Sequence, residues 1–373
     1  MKRLVFTVTN DLNYDQRMIR ICSSLSNAGY QVLLIGRNSN NPIIKKKYAQ
    51  KRLSCFFKKG KLFYAEYNSR LFFSLLFLKF DLVCAIDLDT IVPCYLVSVL
   101  RKKKRVYDAH ELFSEMKEVV SRPNIYKIWK TIEKKFVPKY TYGYTVNGYI
   151  SSILNEKYQV DYQIIRNIPI LRNGINETIL ENFVLYQGAV NHGRNFETLI
   201  PAFQFIDTPL FIYGTGNFFE QAKQLVEEYK LQDKVFLKGP IEPEKLKEIT
   251  PKAILGITIF ENKGLSNYYS LANRFFDYMH AGIPQICVDY PAYKEINEQF
   301  KVAVLINDLS SQALATAINN LLHNNDLQTE LKGNCEAAKK LFNWQAEEKK
   351  LINFYDSVFL PILSNNTNGK GQN

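Results

Sequence analysis

Three segments place polar residues where short apolar runs end. In VYDAHELFSE, His110 follows Asp108 by two positions and precedes Glu111. An imidazole among carboxylates suits proton transfer or stabilisation of charge. In YQGAVNHGRNFETLI, Gly188 closes an apolar run and Arg194 stands just before a helix-like segment. A glycine lets backbone approach a ligand, and a cation beside a helix N-terminus suits a phosphate. YGTGN repeats that turn one unit later, with Gly214 and Gly216 framing the same anion. The third segment is NYYSLANRFFDYMHAGIPQI, residues 267–286. Leu271, Phe275 and Met279 recur at spacing four, as one buried helical face would, and Gly282 and Pro284 stop the helix. Asn273 and Asp277 lie one turn apart off that face, a polar pair that packing does not explain. AIDLDTI offers Asp87 and Asp89 at another run's end; no third ligand lies nearby, so Asp89 reads as a helix cap and no metal site is expected. His192, His280 and His323 read as structural.

The elements that must carry these residues alternate. RLVFTVT, QVLLIG, FDLVCAID, RVYDAH, YGYTVN and YQIIRN read as strands, with helices over Tyr14–Ala28, Ile91–Leu100, near Ile125–Phe136 and after Gly148. The pattern restarts with NFVLYQG, PLFIYGTG, KVFLKG, AILGITIF, QICV and VAVLI, again separated by helices. Short apolar strands followed by helices predict parallel sheets covered on both faces. Ligands then bind at the carboxyl ends of the strands, in a cleft between two doubly wound α/β domains. The polar, turn-rich IPILRNGINET places the boundary near Pro169–Glu181. The tail SNNTNGKGQN reads as disordered.

Composition narrows the function. At 373 residues the chain is long enough for two domains, and 46% hydrophobic and 13% aromatic residues argue for a globular protein. The first strand runs into NDLNYDQR without a glycine, which excludes the dinucleotide phosphate turn. Six scattered cysteines form no CxxC pair and fit a reducing compartment. MKRLVFTVTN carries no secretory signal, and the longest apolar run, Leu71–Leu78, is far below the ~20 residues that span a bilayer. The net charge of +12 is uneven: eight Lys/Arg and no acid fall between Asn41 and Lys61, and Arg101–Arg105 is RKKKR. Solvated loops account for this, as does attraction to an anionic membrane. No nucleic-acid-binding signature accompanies the charge.

TNDLNYDQRMIRICSSLSNAGYQVLLIGR, DLDT, VYDAHELFSE, RNIP, YQGAVNHGRNFETLI, GTG, SLANRFFDYMHAGIPQI and FNWQAEEKKLINFYDSV together resemble a GT-B fold glycosyltransferase of family 4. That is the retaining, nucleotide-sugar-dependent group common in bacterial surface polysaccharide assembly. The resemblance implies two Rossmann-like domains facing across a cleft. Residues 1–170 would bind the acceptor and 181–342 the nucleotide-sugar donor. Residues 343–363 would return as a helix to the first domain, with 364–373 as tail.

Residue by residue, the resemblance implies that Asp277 holds the donor ribose hydroxyls. Tyr269 stands where the family has a second glutamate, eight positions earlier. The amides of Ser270, Leu271 and Asn273 would face the donor phosphates or sugar. Arg194 matches the second member of a phosphate-binding basic pair whose first position is Ala189. His110 would lie against the transferred sugar, and Asn10, Tyr14 and Asp15 would replace a glycine-rich loop on the acceptor side. Gly188, Gly214, Gly216 and the turn at Lys238 complete the donor side. The implied co-substrate is a UDP- or GDP-sugar, with no cofactor or metal. The implied acceptor is a glycan or lipid-linked glycan at the inner face of the cytoplasmic membrane, for lipopolysaccharide, capsule or exopolysaccharide. A non-catalytic GT-B subunit and a nucleotide-sugar 2-epimerase remain as alternatives.

Overall fold

A computed structural model describes residues 1–13, 15–39, 41–172 and 180–360. Tyr14, part of the expected boundary segment and the expected tail lie outside the described residues. Seven strands form the first sheet: β1 (Arg3–Thr7), β2 (Gln31–Arg37), β3 (Ala49–Leu53), β4 (Leu82–Ile86), β5 (Lys104–Ala109), β6 (Gly143–Thr145) and β7 (Gln163–Ile164). They pair in the order β3-β2-β1-β4-β5-β6-β7, all parallel. The second sheet holds β8 (Val184–Gln187), β9 (Leu210–Tyr213), β10 (Val235–Gly239), β11 (Leu255–Thr258), β12 (Gln285–Val288) and β13 (Val304–Ile306). Its order is β10-β9-β8-β11-β12-β13, again parallel. Strand order reverses at β1/β4 and at β8/β11, so each sheet opens a crevice there at its carboxyl edge. Two Rossmann-like lobes meeting across a cleft make this the GT-B architecture.

The central strands are the ones whose apolar runs are continuous; every residue of β4, LVCAI, is buried. β3, AQKRL, has no such run and buries only Leu53 among five residues. It is an edge strand guarded by Lys51 and Arg52, and the sequence pattern does not predict it. The helix after it, Gly60–Phe77, absorbs the long apolar run and buries Phe63, Tyr67, Leu71 and Leu75 at spacing four. No helix among the described residues is long and apolar enough to cross a membrane.

Two expected helices are trimmed by their caps. The first spans Gln16–Asn27, because the Asp15 carboxylate accepts the Met18 N–H at 3.0 Å. The one carrying Asp277 spans only Asn273–Ala281, stopped by Gly282 at φ +68°. Leu271 therefore lies outside it, in an extended stretch that follows a short helix, Leu265–Tyr268. The last helix, Trp344–Phe359, packs on the first lobe and supplies Trp344, Leu351, Phe354, Tyr355 and Val358 to its core. Trp344 Nε1 donates to Ser24 Oγ at 2.9 Å, and Glu347 accepts the Arg166 N–H at 2.9 Å. Trp344→Ala should lower stability by about 3–5 kcal/mol, read as a shift in the urea midpoint of unfolding. A change below ~1 kcal/mol would mean that the helix docks without its anchor.

Candidate active site

In the first lobe the site is built at the ends of β4 and β5. Arg17, on the helix after β1, is buried and forks onto Asp108: Nη2 to Oδ1 at 2.7 Å and Nε to Oδ2 at 3.1 Å. Its Nη1 donates to the Ile165 carbonyl at 3.0 Å. His110 follows β5 and is held on both sides. Nε2 lies 3.2 Å from Asp108 Oδ2, Nδ1 lies 3.4 Å from Asp87 Oδ2, and the His110 N–H donates to Asp87 Oδ1 at 3.0 Å. Burial acts to lower the imidazole pKa, but the Asp108 and Asp87 carboxylates outweigh it and raise His110 to about 9. Both of its nitrogens are engaged and its charged form is favoured, chiefly by Asp108; burial raises the partner Asp87 well above the carboxylate range, against the pull of His110. Asp89 does not cap the following helix: its carboxylate accepts the Thr9 hydroxyl, and the cap position belongs to Thr90.

Asn10 and Asp15 sit at the end of β1, where Asn10 Nδ2 donates to Asp15 Oδ2 at 3.2 Å. The other Asp15 oxygen is spent on the helix cap, so this acid is employed structurally. Tyr14 lies outside the described residues.

In the second lobe, β8 ends at Gln187–Gly188 and β9 at Tyr213–Gly214. The turns are too close for side chains: a Cβ on Gly214 would stand 1.8 Å from the Gly188 oxygen, and one on Gly216 2.2 Å from Asn191 Oδ1. The helix Asn273–Ala281 is pinned above β8 by Tyr278, whose hydroxyl donates to Leu185 O at 3.0 Å and accepts the Gln187 N–H at 3.2 Å. Asp277 Oδ2 accepts Gln187 Nε2 at 2.9 Å. Burial raises its carboxyl to about 6, against the pull of Arg20 from the first lobe. Asn273 Oδ1 accepts Asn167 Nδ2 at 2.7 Å. Of the four amides at 270–273, Ser270 bonds the Asn267 carbonyl at 3.2 Å and Ala272 the Tyr293 hydroxyl at 2.8 Å. The amides of Leu271 and Asn273 are left without a partner among the described residues, free for a ligand at this helix N-terminus.

Arg194 approaches the same crevice. Its guanidinium lies 4.7 Å from the Phe260 ring centre, Nη1 donates to Asn267 Oδ1 at 3.4 Å, and Nε has no partner. Burial raises the Glu111 pKa, opposed by Arg194 across the cleft. Lys238 does not join this group: it lies on edge strand β10, with Nζ 4.3 Å from the Phe211 ring centre. Tyr269 faces the first lobe, stacked on Tyr149 with ring centres 5.8 Å apart, and its carbonyl accepts Asn147 Nδ2 at 2.8 Å. The lobes are joined further by Lys117–Glu261 at 2.8 Å and Ser266–Glu111 at 3.1 Å.

Four residues of this site are absent from the sequence reading: Arg17, Gln187, Phe260 and Arg274. Arg274 is buried on the helix N-terminus beside Gly188. The signal for it is a basic residue in the first turn of this helix, directly before two phenylalanines.

Residues 170–338, less than half of the chain, match the family Glycosyl transferases group 1. This match overturns the family-4 expectation; the GT-B fold stands. No curated protein matches the chain. Among solved structures the chain is similar to sucrose-phosphate synthase from Thermosynechococcus elongatus, with a TM-score of 0.74 at 17% identity over 96% of this chain and 99% of that one. It is similar to HepE from Anabaena in complex with UDP and glucose, at TM-score 0.74, 13% identity, and 96% and 100% coverage. S. aureus TarM in complex with UDP gives TM-score 0.71 at 13% identity, over 97% and 100%. At these identities the likeness is one of fold.

Proposed function

We propose that the chain is a glycosyltransferase that moves a sugar from a nucleoside-diphosphate donor to a glycan or lipid-linked acceptor, with retention. One observation carries the reading. Arg194, the free amides of Leu271 and Asn273, and the Asp277 carboxylate converge at the β8/β11 crevice, opposite a charged His110. Two of the similar structures hold UDP, one of them with glucose.

Breaking the anomeric C–O bond leaves positive charge on the sugar and negative charge on the diphosphate. Arg194 and the helix N-terminus stabilise the diphosphate, where charge develops most. Asp277 accepts the ribose hydroxyls. His110 has no free lone pair, so it orients the sugar and does not act as base. Asp87 and Asp108 are tied to His110 and Arg17, and Asp89 to Thr9, which leaves none of them posed as a nucleophile. Attack from the leaving-group face follows, with a diphosphate oxygen taking the acceptor proton. Release of UDP or GDP on mixing with sugar donor and membrane lipid extract is expected, with the donor's anomeric configuration kept in the product by NMR. An inverted product, or a glycosyl-enzyme adduct by mass spectrometry, would overturn this mechanism.

The acceptor side favours a lipid surface at the inner face of the cytoplasmic membrane. The loops after β2 and β3 lie at the same carboxyl edge as the cleft, since parallel strands share one direction. Together with the start of the helix after β3, they expose Ile43, Ile44, Phe56 (84% exposed), Phe57 and Leu62 among Lys45, Lys58, Lys59 and Lys61, whereas Lys47, bonded to Asn27 at the end of the helix before β2, lies at the opposite edge. Rings among cations suit a headgroup layer, and each Lys near an anionic surface contributes about 1 kcal/mol. The Arg101–Arg105 run is narrowed out. It lies at the opposite edge, where Arg101 bonds the Leu75 and Leu78 carbonyls, Lys104 the Val358 carbonyl and Arg105 the Lys139 carbonyl.

Two outcomes check these assignments. kcat/KM should fall on the acid side of about 6, where Asp277 gains a proton, and above about 9, where His110 loses one. Burial raises Asp89 beside His110 to about 6 as well, so Asp277→Asn should shrink the acid limb without abolishing it and leave the alkaline one; an acid limb unchanged in that variant removes Asp277 from the donor site. Reversing Lys45, Lys58, Lys59 and Lys61 to Glu should abolish cosedimentation with phosphatidylglycerol vesicles, whereas reversing Lys102 and Lys103 should not. Equal effects from both sets would refute the placement of the membrane face.

A further inference from the structure

Arg274 is the second residue of the helix Asn273–Ala281 and is 8% exposed. Its guanidinium lies 4.2 Å from the Tyr186 ring centre and 5.0 Å from that of Phe260. Nη1 has no hydrogen-bond partner, and among the described residues no carboxylate lies within ion-pair distance of this side chain. Gly188 leaves the space in front of it open: a Cβ there would stand 3.5 Å from Arg274 Nη2. Arg194 reaches the same Phe260 ring, with an unpartnered Nε of its own.

Two cations that share one aromatic ring repel each other, and a buried guanidinium with no carboxylate bonded to it, Asp277 acting on it only through space, is unfavourable. The surrounding rings offset part of this through their negative faces. They leave Nη1 unsatisfied, and the backbone beside it is that of Gly188, against which Gly214 packs too closely to carry a side chain. We infer that Arg274 and Arg194 form a two-arginine clamp for a pyrophosphate group, with Phe260 as the plate that sets their separation. The inference rests on the reading that a nucleoside diphosphate occupies this crevice. It adds a residue from a different element to the groups that hold it. A guanidinium presents a planar fork to two phosphate oxygens, which an ammonium does not.

The test uses inorganic pyrophosphate, which carries the anion without a base, alongside UDP, GDP, ADP and dTDP, all by isothermal titration calorimetry. Arg274→Gln and Arg194→Gln should each weaken pyrophosphate binding by about tenfold or more, and Arg274→Lys by less than Arg274→Gln. Far-ultraviolet circular dichroism and thermal melts check the fold of each variant. If Arg274→Gln does not fold, Arg274→Lys decides: weaker pyrophosphate binding supports the clamp, and unchanged affinity overturns it. Failure of the unaltered protein to bind pyrophosphate also overturns it. Pyrophosphate binding that depends on Arg274, with no nucleoside diphosphate binding more tightly, leaves the clamp standing and refutes the donor reading instead.

Discussion

The buried fork between Arg17 and Asp108 governs the first lobe. Arg17 is 2% exposed and Asp108 fully enclosed, so removing either partner strands a charge inside the fold. The fork joins the helix after β1 to β5, and through the Ile165 carbonyl to the stretch beyond β7. Asp108 Oδ2 is shared between Arg17 Nε and His110 Nε2, so the fork also sets the imidazole's position. Asp87 completes the grip from β4. It does so at φ +53°, a left-handed conformation that Asp adopts more readily than most residues, held by its N–H on the Asp108 carbonyl at 2.9 Å. A charged histidine between two carboxylates follows from packing alone, before any ligand arrives.

The second lobe has the opposite character. Its crevice offers unpartnered N–H groups on arginines and on backbone, while the first lobe offers Asp87, Asp89, Asp108 and Glu111 around one imidazolium and one guanidinium. A transition state with a positive sugar and a negative diphosphate is matched by two such faces, provided that the sugar lies toward the first lobe. These dipoles and charges are fixed by hydrogen bonds in the folded protein, so the two faces are preorganised for the proposed reaction. The bonds from Asn147 to the Tyr269 carbonyl and from Lys117 to Glu261 keep the faces opposed.

The repeated alternation of apolar runs and helices made the sheets legible in the sequence, because strands buried on both faces leave continuous runs. β3 escaped because an edge strand needs only one apolar residue, Leu53, to seat it. The positions of Gly188, Gly214, Arg194, Asp277 and His110 were legible because parallel strands put their ends at one edge. What each side chain does there was not. Asp15 caps its own helix, a local role. Asp89 reads as a helix cap and is taken instead by Thr9, and Lys238 reads as a donor ligand and covers Phe211. Such employment depends on partners distant in sequence, as with Arg17 and Asp108, which no local pattern reveals. The family was also misassigned from motifs, although the fold was not.

Two departures from the expected pattern, Tyr269 and Ala189, bear on whether the site is degenerate. A site losing function would keep the scaffold while its polar groups became paired or were replaced by apolar ones. Here Tyr269 stacks on Tyr149 and joins the lobes, packing that a carboxylate at this position would not supply without a partner. Ala189 leaves room beside Gly188, and the guanidinium of Arg274 lies behind that turn with an N–H unsatisfied. Retaining a buried, unpaired arginine opposes stability, since an apolar side chain would pack there without the cost of desolvation. Packing alone does not account for a buried guanidinium whose Nη1 has no partner.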